Sequence, residues 1–400
     1  MPHRVRRGRH GAGRGRLRQA GTGGGIELER DPCRRAHRSR RAMKWLAFDI
    51  GGANLKASDG DRFVTSRSFR LWEHPERLAG ELRTMLAESP RSDHLAITMT
   101  GELADCFATR TDGVRAILDA VDQAADHRHT RVHLVDGRLV APAAARRAPL
   151  LAAASNWHAL ATFAARFASD GPALVIDVGS TTTDIIPLRD GAIATESRSD
   201  TDRLLRGELV YTGVERTPVC ALIATAPYRG KTCPIMREFF ASTQDVYLLT
   251  GDLPEDSGSR HTADHRPATR AAARVRIGRM IGSPDGAFHH RDAVLIAQSV
   301  VRIQTKRIES GLARVVESMG ERPRSIIVAG QGEFLARRVA ERNHSDAAIV
   351  PLGQKLAPAA SRAAPAYALA VLARESVERG AARGPRPASD AAPASDGELG

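Results

Sequence analysis

Apolar positions in this chain come as short unbroken runs, each cut off by glycine or a small polar residue, and the runs recur in a fixed order. "WLAFDI" predicts a buried strand, a tight turn follows, "NLKAS" predicts its return strand, and "RFVTSRSFRLW" alternates as a third. A helix is expected from about Pro75 to Glu88, and "HLAITMT" has too few polar positions for an exposed edge strand. Three-and-four apolar spacing predicts amphipathic helices in "DGVRAILDAVDQAA" and in "NWHALATFAARFA" from Asn156. The opening theme then returns: "PALVIDV" as strand, "GSTTT" as turn, "DIIPL" as strand and "GAIATES" as a third strand. Helices are expected at about 235–241 and 267–281 and through the long "RDAVLIAQSVVRIQTKRIESGLARVVESM". Strand "SIIVAG", helix "EFLARRVAER" and a last helix, "AAPAYALAVLARES", complete the pattern.

Two β-turn-β-β-then-α units, each opening on an apolar strand that ends in Asp followed by Gly, form a long-period internal repeat in which Asp49 and Asp177 are equivalent. The fold class expected is therefore α/β with two related domains, 43–170 and 171–355, and a helix over 356–379 returning to the first. Four hundred residues are ample for two cores of that size.

Composition changes the picture at the ends. The net charge of +13 would suggest a nucleic-acid partner, but residues 1–42 hold thirteen Arg against Glu27, Glu29 and Asp31, so the remainder is close to neutral. That segment is crowded with Gly and Arg and has almost no apolar periodicity, so it is read as a disordered extension. It is either a basic arm or transit peptide, or an upstream stretch before a true start at Met43, and the second is the preferred reading. Residues 380–400 are Pro, Ala, Ser and Gly without an apolar face and read as a disordered tail. No apolar run approaches the roughly 20 residues of a membrane span, and a cytoplasmic location with neither membrane nor nucleic-acid partner is expected. Cys33, Cys106, Cys220 and Cys233 lack metal or disulfide spacing and read as reduced, mostly buried thiols.

The chemistry lies in the two turns. An α/β sheet places ligands outside the carboxyl ends of its strands, where residues following "LAFD" and "LVID" must sit. Gly51, Gly52 and Gly179 let backbone amides approach an anion, Ser180, Thr181, Thr182 and Thr183 add hydroxyl donors, and Lys56 adds a point charge, which together describe a phosphate cradle. Asp49 and Asp177 cannot bind phosphate directly but can hold Mg²⁺ or its waters. A third strand end, "IIVAGQGEFLARR", runs into Gly330, Gln331, Gly332 and Glu333 at a helix start, which suits an anion or a nucleoside edge.

"DIGGANLK", "DVGSTTTD" and "VAGQG" resemble the phosphate-1, phosphate-2 and adenosine motifs of the superfamily of actin, sugar kinases and heat-shock chaperone ATPases. Within it the chain is similar to the hydantoinase/oxoprolinase-related branch, and there to the furan-methanamine synthase family of methanofuran biosynthesis in tetrahydromethanopterin-linked one-carbon metabolism. The strings that carry this are "TMTGELADCF", "SNWHALA", "TDRLLRGELVYTGVERTPVCAL", "MREFFASTQDVYLLTGDLPED" and "TADHRPATR", within about 43–378. The resemblance implies a two-domain actin-like (ribonuclease H-like) fold with a duplicated β-β-β-α-β-α core. It also implies a transferase of alkyl or aryl groups other than methyl, in which a glutamyltyramine-like phenol displaces diphosphate from a furan-methanol diphosphate. Mg²⁺ between Asp49 and Asp177 would stabilise the leaving anion, and Asp184 is the candidate base for the phenol. ATP stays open as a ligand, and an ATP-dependent hydrolase or kinase is the alternative activity. Ala53 and Asn54 depart from the hydroxyl-bearing first turn of many superfamily kinases, which counts against ordinary ATP hydrolysis. Small-molecule substrates are the expected partners, and a homodimer is left open.

Other residues carry two readings each. Arg206, Tyr211, Thr212, Arg216 and Thr217 lie in "RGELVYTGVERTPV", too polar for a core strand, and are placed at the substrate, with Arg216 on a carboxylate, or else in a structural turn. Asp264 and Arg266 meet phosphate or metal, or precede a helix. Glu102 and Asp105 support the first cradle or open a helix, and Trp157 is core or an aromatic platform.

Overall fold

The computed structural model describes residues 43–168, 170–283 and 286–382. The expected extension over 1–42, and residues 383–400 of the expected tail, lie outside the described residues. Two mixed sheets organise the rest. The first uses β1 (Trp45–Ile50), β2 (Asn54–Ser58), β3 (Val64–Ser68), β4 (His94–Met99), β5 (His129–His133) and β6 (Leu139–Val140) in the order β3-β2-β1-β4-β5-β6. The second is built from β7 (Pro172–Val178), β8 (Thr183–Arg189), β9 (Ala192–Ile193) and β10 (Leu209–Val210). After a hairpin of β11 (Thr225–Tyr228) and β12 (Lys231–Pro234) it takes in β13 (Ser325–Ala329) and β14 (Ala348–Pro351). Its order is β10-β8-β7-β13-β14, with β9 beside β8.

Each sheet has an antiparallel β-meander on one side of a central strand and parallel strands on the other. This is the actin-like, ribonuclease H-like fold in two copies. The central strands β1 and β7 are buried along their whole length, as parallel sheets covered on both faces require. Helices Leu78–Glu88 and Arg110–Ala124 cover the first sheet with Leu82, Met85, Ile117 and Val121 inward. The 30-residue helix His290–Met319 and the helix Glu333–Asn343 cover the outer face of the second. Between the sheets, helices Asn156–Ala164 and Ala364–Ala382 build one apolar cluster that joins Trp45 and Ala47 of the first sheet to Val175, Ile186 and Ile327 of the second.

Several expectations are corrected. The apolar run at 235–241 is not helical: the helix is Thr243–Thr250, because Ser242 and Asp245 form a capping box that fixes its start. Of "GAIATES" only Ala192–Ile193 pairs with β8, and Leu209–Val210 occupies the third position of the sheet. Strands β5 and β14 and the β11–β12 hairpin had no counterpart in the apolar pattern. Cys106 is exposed rather than buried, while Cys220 and Cys233 are half-buried, and all three are free thiols. Among the described residues no helix is long and apolar enough to cross a membrane.

Candidate functional site

The two Asp-x-Gly turns match in register. Asp49 on β1 sits opposite Lys56 on β2, and Asp177 on β7 sits opposite Asp184 on β8, with four turn residues beyond the pairs Ile50–Leu55 and Val178–Thr183 in each case. The same backbone bond closes both: Gly51 N–H to the Asn54 carbonyl at 3.0 Å and Gly179 N–H to the Thr182 carbonyl at 2.8 Å. A Cβ on Gly51 would come within 2.8 Å of the Asn54 oxygen, so the first turn needs glycine there. The hairpins face one another, with the Asn54 amide 3.4 Å from the Ser180 hydroxyl.

Between them lies a cavity of about 390 Å³ lined by Asp49, Gly51, Gly52, Asn54 and Lys56 from one side and Asp177, Gly179, Ser180, Thr181, Thr182 and Asp184 from the other. The register decides its charge. Lys56 is 3.6 Å from Asp49, whereas the equivalent of Lys56 in the second hairpin is a further acid, Asp184. Burial raises all three carboxyls above the ordinary Asp range, Asp177 to about 7, where Asp184 adds repulsion to the burial. Asp49 and Asp177 each keep one buried carboxylate oxygen with no hydrogen-bond partner.

Asp184 is restrained by a residue the sequence pattern did not single out. Helix Asp200–Arg206 starts at a Ser199/Asp202 capping box, which turns Arg203 inward. Its buried guanidinium pairs with Asp184 and lies 4.5 Å over the Trp157 ring. Trp157 is thus both core and platform, with the protein's own arginine on it. One turn earlier, Asp200 accepts from Arg110 at 2.8 Å, and Arg110 also donates to the buried Glu102 at 2.8 Å. Glu102, Asp200, Arg203 and Asp184 all line the cavity, so this alternating row of charges forms one wall and crosses from the first sheet's lobe to the second's. At the mouth the Arg216 guanidinium lies 4.4 Å over Trp72, and Tyr211 and Asp105 complete the rim.

Other candidates fall outside the cavity lining. Arg206 ends its helix half-exposed, 3.8 Å from Glu196, and Arg203 takes the place expected of it. Thr212 and Thr217 are buried and bonded to each other at 3.1 Å, and the Gln304 amide donates to Thr212 at 2.9 Å. They brace the segment that carries Tyr211 and Arg216 and lie outside the cavity lining. The four residues 330–333 support the second hairpin from behind. Gly330, at φ +93°, lies so close to Asp177 that a Cβ would be 2.2 Å from its carboxylate. Gly332 N–H donates to the Val178 carbonyl at 2.8 Å, Gln331 bonds to Glu215, and Glu333 accepts from Gly353 N–H and the Ser361 hydroxyl. Asp264 is taken up by Arg276 and Arg279 at 3.0 and 2.8 Å.

The donor set suits a magnesium ion. Asp49 and Asp177 line the cavity and each keeps one unpartnered carboxylate oxygen, that of Asp177 lying against Gly330; among the described residues no group of three His, Cys, Asp or Glu side chains could enclose a metal alone. An ion bound there would complete its shell with water and ligand oxygens, as Mg²⁺ beside a diphosphate does.

Comparison with known proteins adds to this geometry. The model of the hydantoinase/oxoprolinase family matches residues 93–376. A Methanocaldococcus jannaschii protein named (4-{4-[2-(gamma-L-glutamylamino)ethyl]phenoxymethyl}furan-2-yl)methanamine synthase is 28% identical over 337 residues, covering 84% of this chain and 98% of that protein. A Methanococcus vannielii protein of the same name is 29% identical over 205 residues, 51% of this chain and 91% of that one. Among solved structures, a nucleotide-free acetone carboxylase is 11% identical with a TM-score of 0.49, covering 82% of this chain and 70% of that one. The activator of the 2-hydroxyisocaproyl-CoA dehydratase from Clostridium difficile, with bound ADPNP, is 12% identical with a TM-score of 0.42, covering 87% and 100%.

Proposed function

The chain belongs to the hydantoinase/oxoprolinase family, and from that premise we propose that it is an aryl-ether-forming transferase of methanofuran-type cofactor biosynthesis in tetrahydromethanopterin-linked one-carbon metabolism. Its two similar relatives are named for a product containing a phenoxymethyl-furan ether. The reaction proposed joins a phenol oxygen to the exocyclic carbon of an aminomethyl-furan-methanol diphosphate. That carbon's bond to diphosphate breaks, and the phenolic proton is lost. The observation that carries the reading is the pair of register-matched hairpins facing each other across one polar cavity.

The furan oxygen delocalises positive charge at the exocyclic carbon, so departure of diphosphate can run ahead of attack. The protein's main task is then to stabilise the leaving anion. The Gly51 and Gly179 amides are taken up in closing the turns, so the Gly52 amide and the hydroxyls of Ser180, Thr181 and Thr182 would bind its oxygens, with Lys56 as counter-charge. Asp49 and Asp177 would hold Mg²⁺, which supplies Lewis-acid stabilisation of the same anion. A phenol with a pKa of about 10 needs a proton acceptor at neutral pH. Asp184 keeps that role in the proposal, with Arg203 fixing its carboxylate beside Asp177. Because residues 330–333 are bonded within the protein and lie off the cavity lining, the ATP-dependent alternative has less support.

The test is direct. Residues 43–400 with Mg²⁺, the aminomethyl-furan-methanol diphosphate and glutamyltyramine should release pyrophosphate and form the ether in equal amounts without nucleotide. Ether that forms only when ATP is added, or pyrophosphate without ether, would overturn the assignment.

A further inference from the structure

Arg216 differs from Arg203, which lines the cavity with it, and from Arg110, which contacts two of the lining acids. Arg203 is paired with Asp184, and Arg110 with Glu102 and Asp200. For Arg216, among the described residues, no carboxylate lies within ion-pair distance, and its guanidinium rests on the face of Trp72. The acidic groups in its field are Tyr211 beside it, Glu215, which is bonded to the Gln331 amide, and Asp105 on the opposite rim. The other cation is Arg70, which is paired with Glu73 at 2.9 Å.

Its backbone is firmly placed. The N–H groups of Glu215 and Arg216 donate to the Ser180 carbonyl at 3.0 and 2.9 Å, which ties the residue to the second hairpin. Gly213 packs so tightly against the same hairpin that a Cβ there would lie 2.5 Å from the Gly179 carbonyl. Thr212, Thr217 and Gln304 brace the segment from within. A charged planar fork is therefore held at the mouth at a fixed distance from the diphosphate cradle, with its ring partner on the opposite lobe. Such a fork binds carboxylates bidentately, and stacking pre-organises it.

We infer that Arg216, seated on Trp72, is the residue that selects the acceptor, binding a carboxylate at the end of that molecule remote from the attacking phenol. This rests on the transferase reading above and deepens it. An acceptor bound this way spans the cavity from mouth to floor and touches both lobes, so that its anionic end places the phenol.

Two phenols of similar length separate the outcomes: glutamyltyramine, with a terminal carboxylate, and N-butyryltyramine, without one. The full chain should favour the first in kcat/KM by roughly tenfold or more, the worth of one charge-assisted pair. In Arg216→Met that preference should vanish, chiefly through a higher KM for glutamyltyramine. Arg216→Lys should restore only part of it. Equal use of both phenols by the parent, or a preference that survives in Arg216→Met, would overturn the inference. If no ether forms from either phenol, the transferase reading fails instead, and calorimetric titration of the two phenols decides this one. A preference in affinity that Arg216→Met removes supports it, and equal affinities end it.

Discussion

A carboxylate buried near the end of a central strand, with one oxygen unpaired and a second acid opposite it in register, is held at a cost that some ligand must offset. Asp177 is that group: burial and then Asp184 raise its pKa from 3.8 to about 7. The sign of the consequence follows from linkage. Between about pH 4 and pH 7 the folded protein holds a proton that the unfolded chain releases, so stability declines as pH rises through that window and stays at its lower value above it. Asparagine has no proton to lose there. With chelator and without phosphate, Asp177→Asn should melt above the parent at pH 8, by roughly 2–4 °C for each kcal/mol regained, and the two should converge towards pH 4. Turnover should fall by about 100-fold or more if the carboxylate acts on the leaving diphosphate. Equal melting at pH 8, or retained turnover, would remove Asp177 from the roles assigned to it.

At the scale of elements, what could be read in advance was what periodicity and strand-end composition encode. β1, β4, β7 and β13 are unbroken apolar runs because both their faces are covered, and the Asp-x-Gly turns follow the first and third of them directly. β5, "HTRVH", gives no apolar run because its exposed positions carry His and Arg, and apolar spacing places a helix at 235–241 where the Ser242 cap sets it at 243–250. In the site, the hairpin residues were legible because strand ends point at ligands. Trp72 and Arg203 are not legible, since only tertiary packing brings them to the cavity, and neither is Arg110, which holds two of its lining acids; no spacing in the chain relates them to it. The "GQG" stretch shows a motif performing a different task from the one its composition suggests: Gly330 is small so that Asp177 can lie against it. Gly330→Ala should therefore cost about 2–4 kcal/mol, from a left-handed φ and a contact no side chain tolerates, seen as a lower urea midpoint at unchanged m-value. A midpoint within error of the parent would mean that the turn relaxes freely.

Across the whole folded unit, the two lobes meet in two chemically different ways. At the base they share an apolar cluster: Trp45, Ala47 and Ala96 from the first sheet, Val175, Ile186 and Ile327 from the second, with Leu160, Leu369 and Ala373 from the helices between them. Around the cavity they meet through polar contacts, Arg110 to Asp200, Arg216 on Trp72, Asn54 to Ser180, and Arg70 to His265 at 3.3 Å. Each fully buried Val, Leu or Ile at the base contributes about 1.5–3 kcal/mol, whereas partly exposed ion pairs contribute about 1 kcal/mol or less. The base therefore couples the lobes and the rim does not, which allows the cleft to loosen without the lobes separating. Calorimetry of residues 43–400 should show one unfolding transition whose calorimetric and van't Hoff enthalpies agree. Arg110→Met should keep that single transition while raising the KM for the furan diphosphate, because it releases one wall of the cavity and leaves the base intact. Two resolved transitions in the parent protein would show that the shared cluster does not couple the lobes; an unchanged KM in Arg110→Met would show that the charged wall plays no part in shaping the diphosphate site.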